Sequence, residues 1–423
     1  MQKITFTTSN GKNTLEYMKL LMRSLKENLD SDEHQILVFI DADNDGTVAY
    51  LDSIKDSFKD LTIITHALGF PAGLQRNATL LTEYAKHDIV SYLHSDMVVG
   101  PHYDTEILKH MKRGRILSST RVEPPLHGES YLTHTVNLGI HPEEFDFDKW
   151  NSVSNSLKRD ETIDYFFAPI AFYKEDWMRL GGYDTVHRRA REDSDFVQRC
   201  LHAGIEMVQT FSANVYHFTC VSSRGKNWFD KNNQEAKKRA ELQSRADAIE
   251  LQRFVRKWGN FNHGEEKLFK LDVDLVVKNM ITVDHILYLE PFFSRVWVES
   301  TEIKDTLVSI TNKQQEVANE LLSASDEQWN RYKHLFRTDD FDAIFQVGGP
   351  INYYIKVTID FSKLTERNTF LENIQNMYEM LREYDAGEYE LDGITISIVE
   401  PKVLPTPIVA ENPPFDPALL TVY

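Results

Sequence analysis

The chain has 423 residues, 41% of them hydrophobic and 26% charged, which is material for two or three soluble globular domains. Its formal net charge of −18 excludes the basic footprint that sequence-independent nucleic-acid binding needs, and argues against docking on anionic lipid. Two cysteines, Cys200 and Cys220, make no disulfide framework; no apolar run can span a bilayer, and Met1–Phe6 lacks the apolar core of a leader, so a cytoplasmic protein without membrane insertion is expected.

Residues 1–99 alternate strand and helix patterns. Lys3–Thr8 reads as a strand. Asn13–Leu29 reads as a helix, with Leu15, Met18, Leu21, Met22 and Leu25 along one face. Gln35–Ile40 is an apolar strand ending in the acidic turn Asp41-Ala42-Asp43-Asn44-Asp45-Gly46-Thr47. Ala49–Phe58 is helical, Leu61–Thr65 is a strand and Leu74–Ala85 is helical. Ile89–Leu93 is a strand that runs into three polar side chains, His94-Ser95-Asp96. This alternation predicts an α/β domain: a mostly parallel sheet with helices on both faces and ligands at the carboxyl ends of its strands.

Ile116–Val122 is another strand, leading into Glu123-Pro124-Pro125. Leu126–Asp164 reads as irregular, either a lid or binding loop or a plain insertion. Phe167–Tyr173 is strand-like, and Lys174–Leu180 is a short helix stopped by Gly181-Gly182. Asp193–Ala203 is a helix; Glu206–Gln209 and Ala213–His217 are short strands. Lys226–Trp258 is a long helix of mixed charge ending at Gly259, which closes a first domain at 1–259.

From residue 260 the pattern changes. Leu271–Val277, Arg295–Glu299, Tyr353–Phe361 and Ile394–Val399 read as strands, Lys313–Leu322 and Arg367–Tyr384 as helices, without clear alternation. An α+β accessory domain over 260–400 is expected, followed by a proline-rich extended tail at 401–423.

Three carboxylate groups fall at strand ends or helix starts: Asp41 with Asp43 and Asp45, Asp96, and Glu192-Asp193 with Asp195. Asp96 can hold a hard divalent cation while a diphosphate supplies further oxygens, or it can simply start a turn. Glu192 and Asp193 at a helix start can present a base to an alcohol, or merely cap the helix. His217, at the end of an apolar strand, is a structural histidine or a metal ligand. Arg76 can pair with phosphate or be an ordinary exposed helix arginine. Both cysteines read as packing residues.

The order of these pieces resembles family 2 glycosyltransferases of the GT-A fold over about Ile4 to Gly259. The opening strand Ile4-Thr5-Phe6-Thr7-Thr8-Ser9-Asn10 matches, with Thr7 and Ser9 where the family has Pro and Tyr. Asp41-Ala42-Asp43-Asn44-Asp45-Gly46-Thr47 is similar to the D-x-S-x-D-G-T loop, and Gln75-Arg76-Asn77 to A-R-N. His94-Ser95-Asp96 stands at the D-x-D position, His94 replacing the first Asp. Gly181-Gly182-Tyr183-Asp184, then Glu192-Asp193, resembles G-G-F-D … E-D. Arg256-Lys257-Trp258-Gly259 resembles a helix-ending motif of a sub-group found in phages and large DNA viruses.

The resemblance implies a GT-A (Rossmann-like) domain that transfers a sugar from a nucleotide-sugar donor to a glycan or other hydroxyl acceptor, with inversion. Thr7, Asp41, Arg76, Ser95 and Asp96 would bind the nucleotide. Asp96, His217 and His94 would bind Mn²⁺ or Mg²⁺, which neutralises the leaving diphosphate. Asp193 would be the general base, with Glu192 beside it on the acceptor side. Two other readings stand: a nucleotidyltransferase, for which Ser9-Asn10-Gly11-Lys12 is a weak phosphate loop, and a non-catalytic glycan-binding or structural module on the same fold. The C-terminal domain would position the acceptor or mediate homo-oligomerisation.

Overall fold

The strand–helix alternation at the start of the chain builds one end of an 11-stranded sheet. The structure is a computed structural model and describes residues 2–423 apart from 42, 128–129, 220–229, 231, 263–265, 281, 316–323, 365–373 and 392. The first ten strands are β1 (Ile4–Asn10), β2 (Gln35–Ile40), β3 (Leu61–His66), β4 (Ile89–His94), β5 (Met97–Val99), β6 (Arg115–Glu123), β7 (Thr133–Thr135), β8 (Thr162–Asp164), β9 (Ile170–Tyr173) and β10 (Glu206–His217). The run β3-β2-β1-β4 is parallel throughout. Strand β9 then lies antiparallel between β4 and β6, and β10 runs parallel to β6.

Every residue of β2 is buried because helices cover both faces. Val38 faces one core with Phe6, Met18 and Leu93, while its neighbours Leu37 and Phe39 face the other with Tyr92, Trp177 and Phe196. Helix α1 (Leu15–Glu27) buries Met18, Leu21, Met22 and Leu25, the face its spacing predicts. Cys200 sits in the same packing, where burial pushes its thiol up to about 12, too high for a nucleophile. Cys220 and the first residues of the expected helix at 226 lie outside the described residues.

Leu126–Asp164 departs from the irregular loop expected. It carries β7 and β8, which pair with β6 and β10, and a helix at Phe147–Leu157 capped by Asp146. Its strands are too short to show a period, and the helix declares itself mainly through Trp150, which is fully buried and donates to the Val99 carbonyl.

Among the described residues the second sheet has six strands: β11 (Val273–Lys278), β12 (Arg295–Val298), β13 (Phe345–Val347), β14 (Ile355–Asp360), β15 (Gly387–Leu391) and β16 (Ile394–Ile398). β13-β12-β11-β14 are parallel, and β16 and β15 add an antiparallel hairpin. Parts of both helices expected here, at 316–322 and 367–373, lie outside the described residues.

The two sheets are joined by Arg256-Lys257-Trp258, which ends the helix Gln234–Trp258. Arg256 grips Glu290 with two 2.7 Å bonds and Asp339 with a third. Lys257 bridges Asp184 and Asp195 at 2.8 and 2.6 Å. Tyr332, Leu335, Phe336 and Phe415 pack into the first sheet's core beside Phe70. The proline-rich segment after the second sheet also returns to the first, where β17 (Leu420–Val422) pairs antiparallel with β3. No helix among the described residues is long and apolar enough to cross a membrane.

Candidate metal centre and its surroundings

The site forms where β4 and β5 part. β4 stays with β1, whereas β5 crosses to pair with the end of β10, placing His217 opposite Met97. The turn between them, Ser95-Asp96, is thereby set against His217, and the Phe218 amide donates to the Asp96 carbonyl. β6 runs beside the same end of β10, with Val122 opposite Tyr216, and this brings Glu123 to His217.

His94, Asp96 and His217 each offer one ligand atom, all within 4.8 Å of one another. His217 Nε2 lies 3.6 Å from Asp96 Oδ1, while its Nδ1 lies 2.9 Å from Glu123 Oε1. A ring nitrogen tied to a carboxylate fixes the tautomer and leaves the other nitrogen's lone pair for a metal. Two imidazoles and a carboxylate are a fitting donor set for a first-row divalent cation. Burial, against the pull of Asp96, lowers the His94 pKa to about 4, with His217 and Arg121 adding to the fall. Burial works to raise the Glu123 carboxyl, but the His217 bond and Arg121 outweigh it and hold it below its ordinary value.

Glu192 and Asp193 open helix α7 (Glu192–Ala203). Arg191 before them is left-handed at φ +69°, a conformation that costs about 1 kcal/mol or more. Burial, then the neighbouring Asp193, raises the Glu192 pKa to about 7. Asp193 Oδ1 accepts from the Ser194 amide at 2.6 Å. Two tyrosines lie within electrostatic reach of this pair. The buried Tyr92 phenol is raised by burial, opposed by a Ser9 hydrogen bond, and raised further by Glu192, Asp41 and Asp96 together. Tyr165 lies in the fields of both Arg121 and Asp193. A groove of about 660 Å³ is lined by Asp193 together with Tyr165, Phe166, Phe167, Val197 and Leu201.

Asp41 also acts on the Tyr92 phenol, and its carboxylate is engaged by the loop after β3. It accepts from the Ala72 amide at 2.5 Å, the Gly73 amide at 3.2 Å and His66 Nε2 at 3.2 Å. Ser95 is buried within the β4–β5 turn. Two of the residues expected at the nucleotide, Thr7 and Arg76, have hydrogen-bond partners within the chain. Thr7 is buried in the sheet, where its hydroxyl donates to the Ser91 carbonyl. Arg76 Nη1 donates to the Pro413 carbonyl at 2.8 Å, and its guanidinium lies within 6 Å of the rings of Phe336 and Phe415. Burial lowers its pKa to about 10.

Sequence reasoning gave no role to Glu123, Arg121 or Phe167, although Arg121 stacks 3.8 Å over the Phe167 ring and pairs with Glu123 at 3.3 Å. The available signal was an acid at the end of an apolar strand, the same signal that singled out Asp96.

Over residues 11–167 the chain matches the family model described as glycosyl transferase family 2; Thr7, Glu192, Asp193 and His217 fall outside that span. No curated protein matches the chain. Among solved structures it is similar to GalNAc-T7 with UDP, GalNAc and Mn²⁺, at 11% identity and a TM-score of 0.39, over 51% of this chain and 43% of that one. It is similar to the mannosyltransferase PcManGT from Pyrobaculum calidifontis in complex with GDP-Man and Mn²⁺, at 16% identity and a TM-score of 0.38, over 58% of this chain and 64% of that one. It is also similar to S. aureus TarS 1–349 in complex with UDP, at 11% identity and a TM-score of 0.41, over 96% and 99%. The match thus spans less than two thirds of the first two of those chains.

Proposed function

We propose, from the match of residues 11–167 to the glycosyl transferase family 2 model, that the protein is a metal-dependent inverting glycosyltransferase that moves a sugar from a nucleoside-diphosphate sugar to an acceptor hydroxyl. The observation that carries this reading is the meeting of His94, Asp96 and His217 in one group, with Glu123 behind it. These three side chains would hold Mn²⁺ or Mg²⁺. The bound ion would supply charge neutralisation at a leaving diphosphate.

Asp193 is the proposed general base. It lines the groove, where an acceptor hydroxyl can reach its carboxylate and give up a proton. Attack from that side, opposite the leaving group, is a single displacement and inverts the anomeric carbon. Glu192 is half-buried beside it, and a carboxyl raised to about 7 is substantially protonated near neutrality, so it can donate a hydrogen bond to the acceptor. Asp41 shapes the donor wall through the loop at Ala72 and Gly73.

The test is to incubate the protein with a panel of nucleoside-diphosphate sugars, with Mn²⁺, with Mg²⁺ and with EDTA, and to identify the product. Metal-dependent release of nucleoside diphosphate is expected, faster when an acceptor is present. Release of pyrophosphate, or no binding of any nucleotide sugar, overturns the reading.

A further inference from the structure

The segment that follows the second sheet crosses back to the first domain and meets the turn Gly181-Gly182-Tyr183-Asp184-Thr185. Asn412 makes three contacts there. Its Nδ2 donates to the Gly181 and Tyr183 carbonyls, each at 2.8 Å, and its Oδ1 accepts from the Thr185 amide at 2.8 Å. One N–H and two carbonyls facing one side chain call for an amide: a carboxylate lacks the donors and an alkyl group lacks everything. Two residues earlier, the Ala410 amide donates to the Leu180 carbonyl at 2.8 Å. The approach is close enough that a Cβ on Gly181 would stand 2.2 Å from the Ala410 oxygen.

The turn is in turn bolted to helix α7 by two bridges that end on one carboxylate. Arg199 donates to the Leu180 carbonyl at 2.7 Å and to Asp195 Oδ2 at 2.8 Å. Lys257 pairs with Asp184 at 2.8 Å and with Asp195 Oδ1 at 2.6 Å. Asp195 is fully buried in the first turn of α7, two residues after Asp193. The line of contact therefore runs from Asn412 through the 180–185 turn to the start of the helix that presents Glu192 and Asp193.

We propose that Asn412 is a positioning residue for sugar transfer, holding the Gly181–Thr185 turn so that helix α7 presents Asp193 to the acceptor. The inference rests on the transferase reading above. It makes the returning segment part of the working domain, although that segment lies outside residues 11–167. Asn412 touches no reacting group; it acts through the turn.

The experiment uses the full chain with N412A and N412D. N412D keeps the shape of the side chain and one acceptor but removes both donors. Steady-state transfer is measured together with amide hydrogen exchange over residues 181–200. Both variants are expected to lose at least tenfold in kcat, to hold donor KM within twofold, and to exchange faster at Thr185 and in the first turn of α7. Wild-type kcat in N412D overturns the proposal, because packing alone would then suffice. Equal loss of kcat and of donor affinity also overturns it, since that marks a general folding defect. If the wild-type protein releases no nucleoside diphosphate from any donor, the transferase reading fails by itself. The exchange data then still decide the mechanical claim: unchanged exchange in both variants refutes the link from Asn412 to α7.

Discussion

Glu123 holds His217 from behind: Oε1 of the carboxylate and Nδ1 of the imidazole are 2.9 Å apart, and the other ring nitrogen faces Asp96. Neither residue reaches the other through local sequence. The parallel register of β6 and β10 makes the contact.

This contact predicts that E123Q weakens Mn²⁺ binding by about 10–100-fold, the usual cost of losing a carboxylate that orients a metal-bound histidine. An amide oxygen still accepts a hydrogen bond but makes the imidazole a poorer ligand. Calorimetric titration of Mn²⁺ into E123Q, H217A and wild type measures it, with H217A the weaker binder of the two variants. Equal affinity in all three would remove His217 from the centre.

D193N is expected to lower kcat by about 10²–10⁴, the range for a deleted general base, with donor affinity intact. The Ser194 amide that bonds Asp193 Oδ1 can bond the Asn oxygen equally well, so the start of the helix should survive. Rate measurements paired with donor titrations separate the chemistry from binding. A fall in donor affinity that matches the fall in rate would count against the assignment.

Glu192 predicts a pH dependence of stability. Its folded pKa of about 7 stands above the ordinary 4.5 of the unfolded chain. Between those values the unfolded state has released a proton that the folded state keeps, so stability falls as pH rises through this window and stays low above it. E192Q has no proton to lose. It should gain about 3 kcal/mol relative to wild type on going from pH 4.5 to pH 8. Urea titrations at both pH values give the difference; the same gap at each would show that the carboxyl is not buried as described.

R256A is expected to destabilise the chain by about 3–5 kcal/mol, because removing one partner strands the others in a dry site. Glu290 is 1% exposed and loses both of its guanidinium bonds, and Asp339 loses one. The effect should show as separate unfolding of the two sheets, read by tryptophan fluorescence against urea. A single transition at the wild-type midpoint would contradict it.

How much of this was legible in the sequence depended on the range of the interaction. The strand-end pattern made β4 and its His94-Ser95-Asp96 terminus readable, because a run buried on both faces is apolar and its polar ending stands out. His217 was readable for the same reason. The surroundings of Thr7 and Arg76 were not readable, because register with a family says where a residue sits along the chain and nothing about what comes back to cover it. Arg76 has its carbonyl partner in Pro413, and no local pattern predicts that. Glu123 looked like the acid that ends a strand before Pro124, and only the neighbouring strand gives it a task. Asn412 sits among prolines in what reads as a tail; its partners are more than 220 residues earlier in the chain.

β17 seals the free edge of β3, and Phe415 joins the core of the first sheet. Both are synthesised long after the strands they complete. While the polypeptide is emerging from the ribosome, β3 offers open amides and carbonyls to any extended chain nearby. A fragment cut at Gly259 would carry that exposure permanently, and it should clump when expressed unless a peptide spanning 404–423 is supplied to cover it.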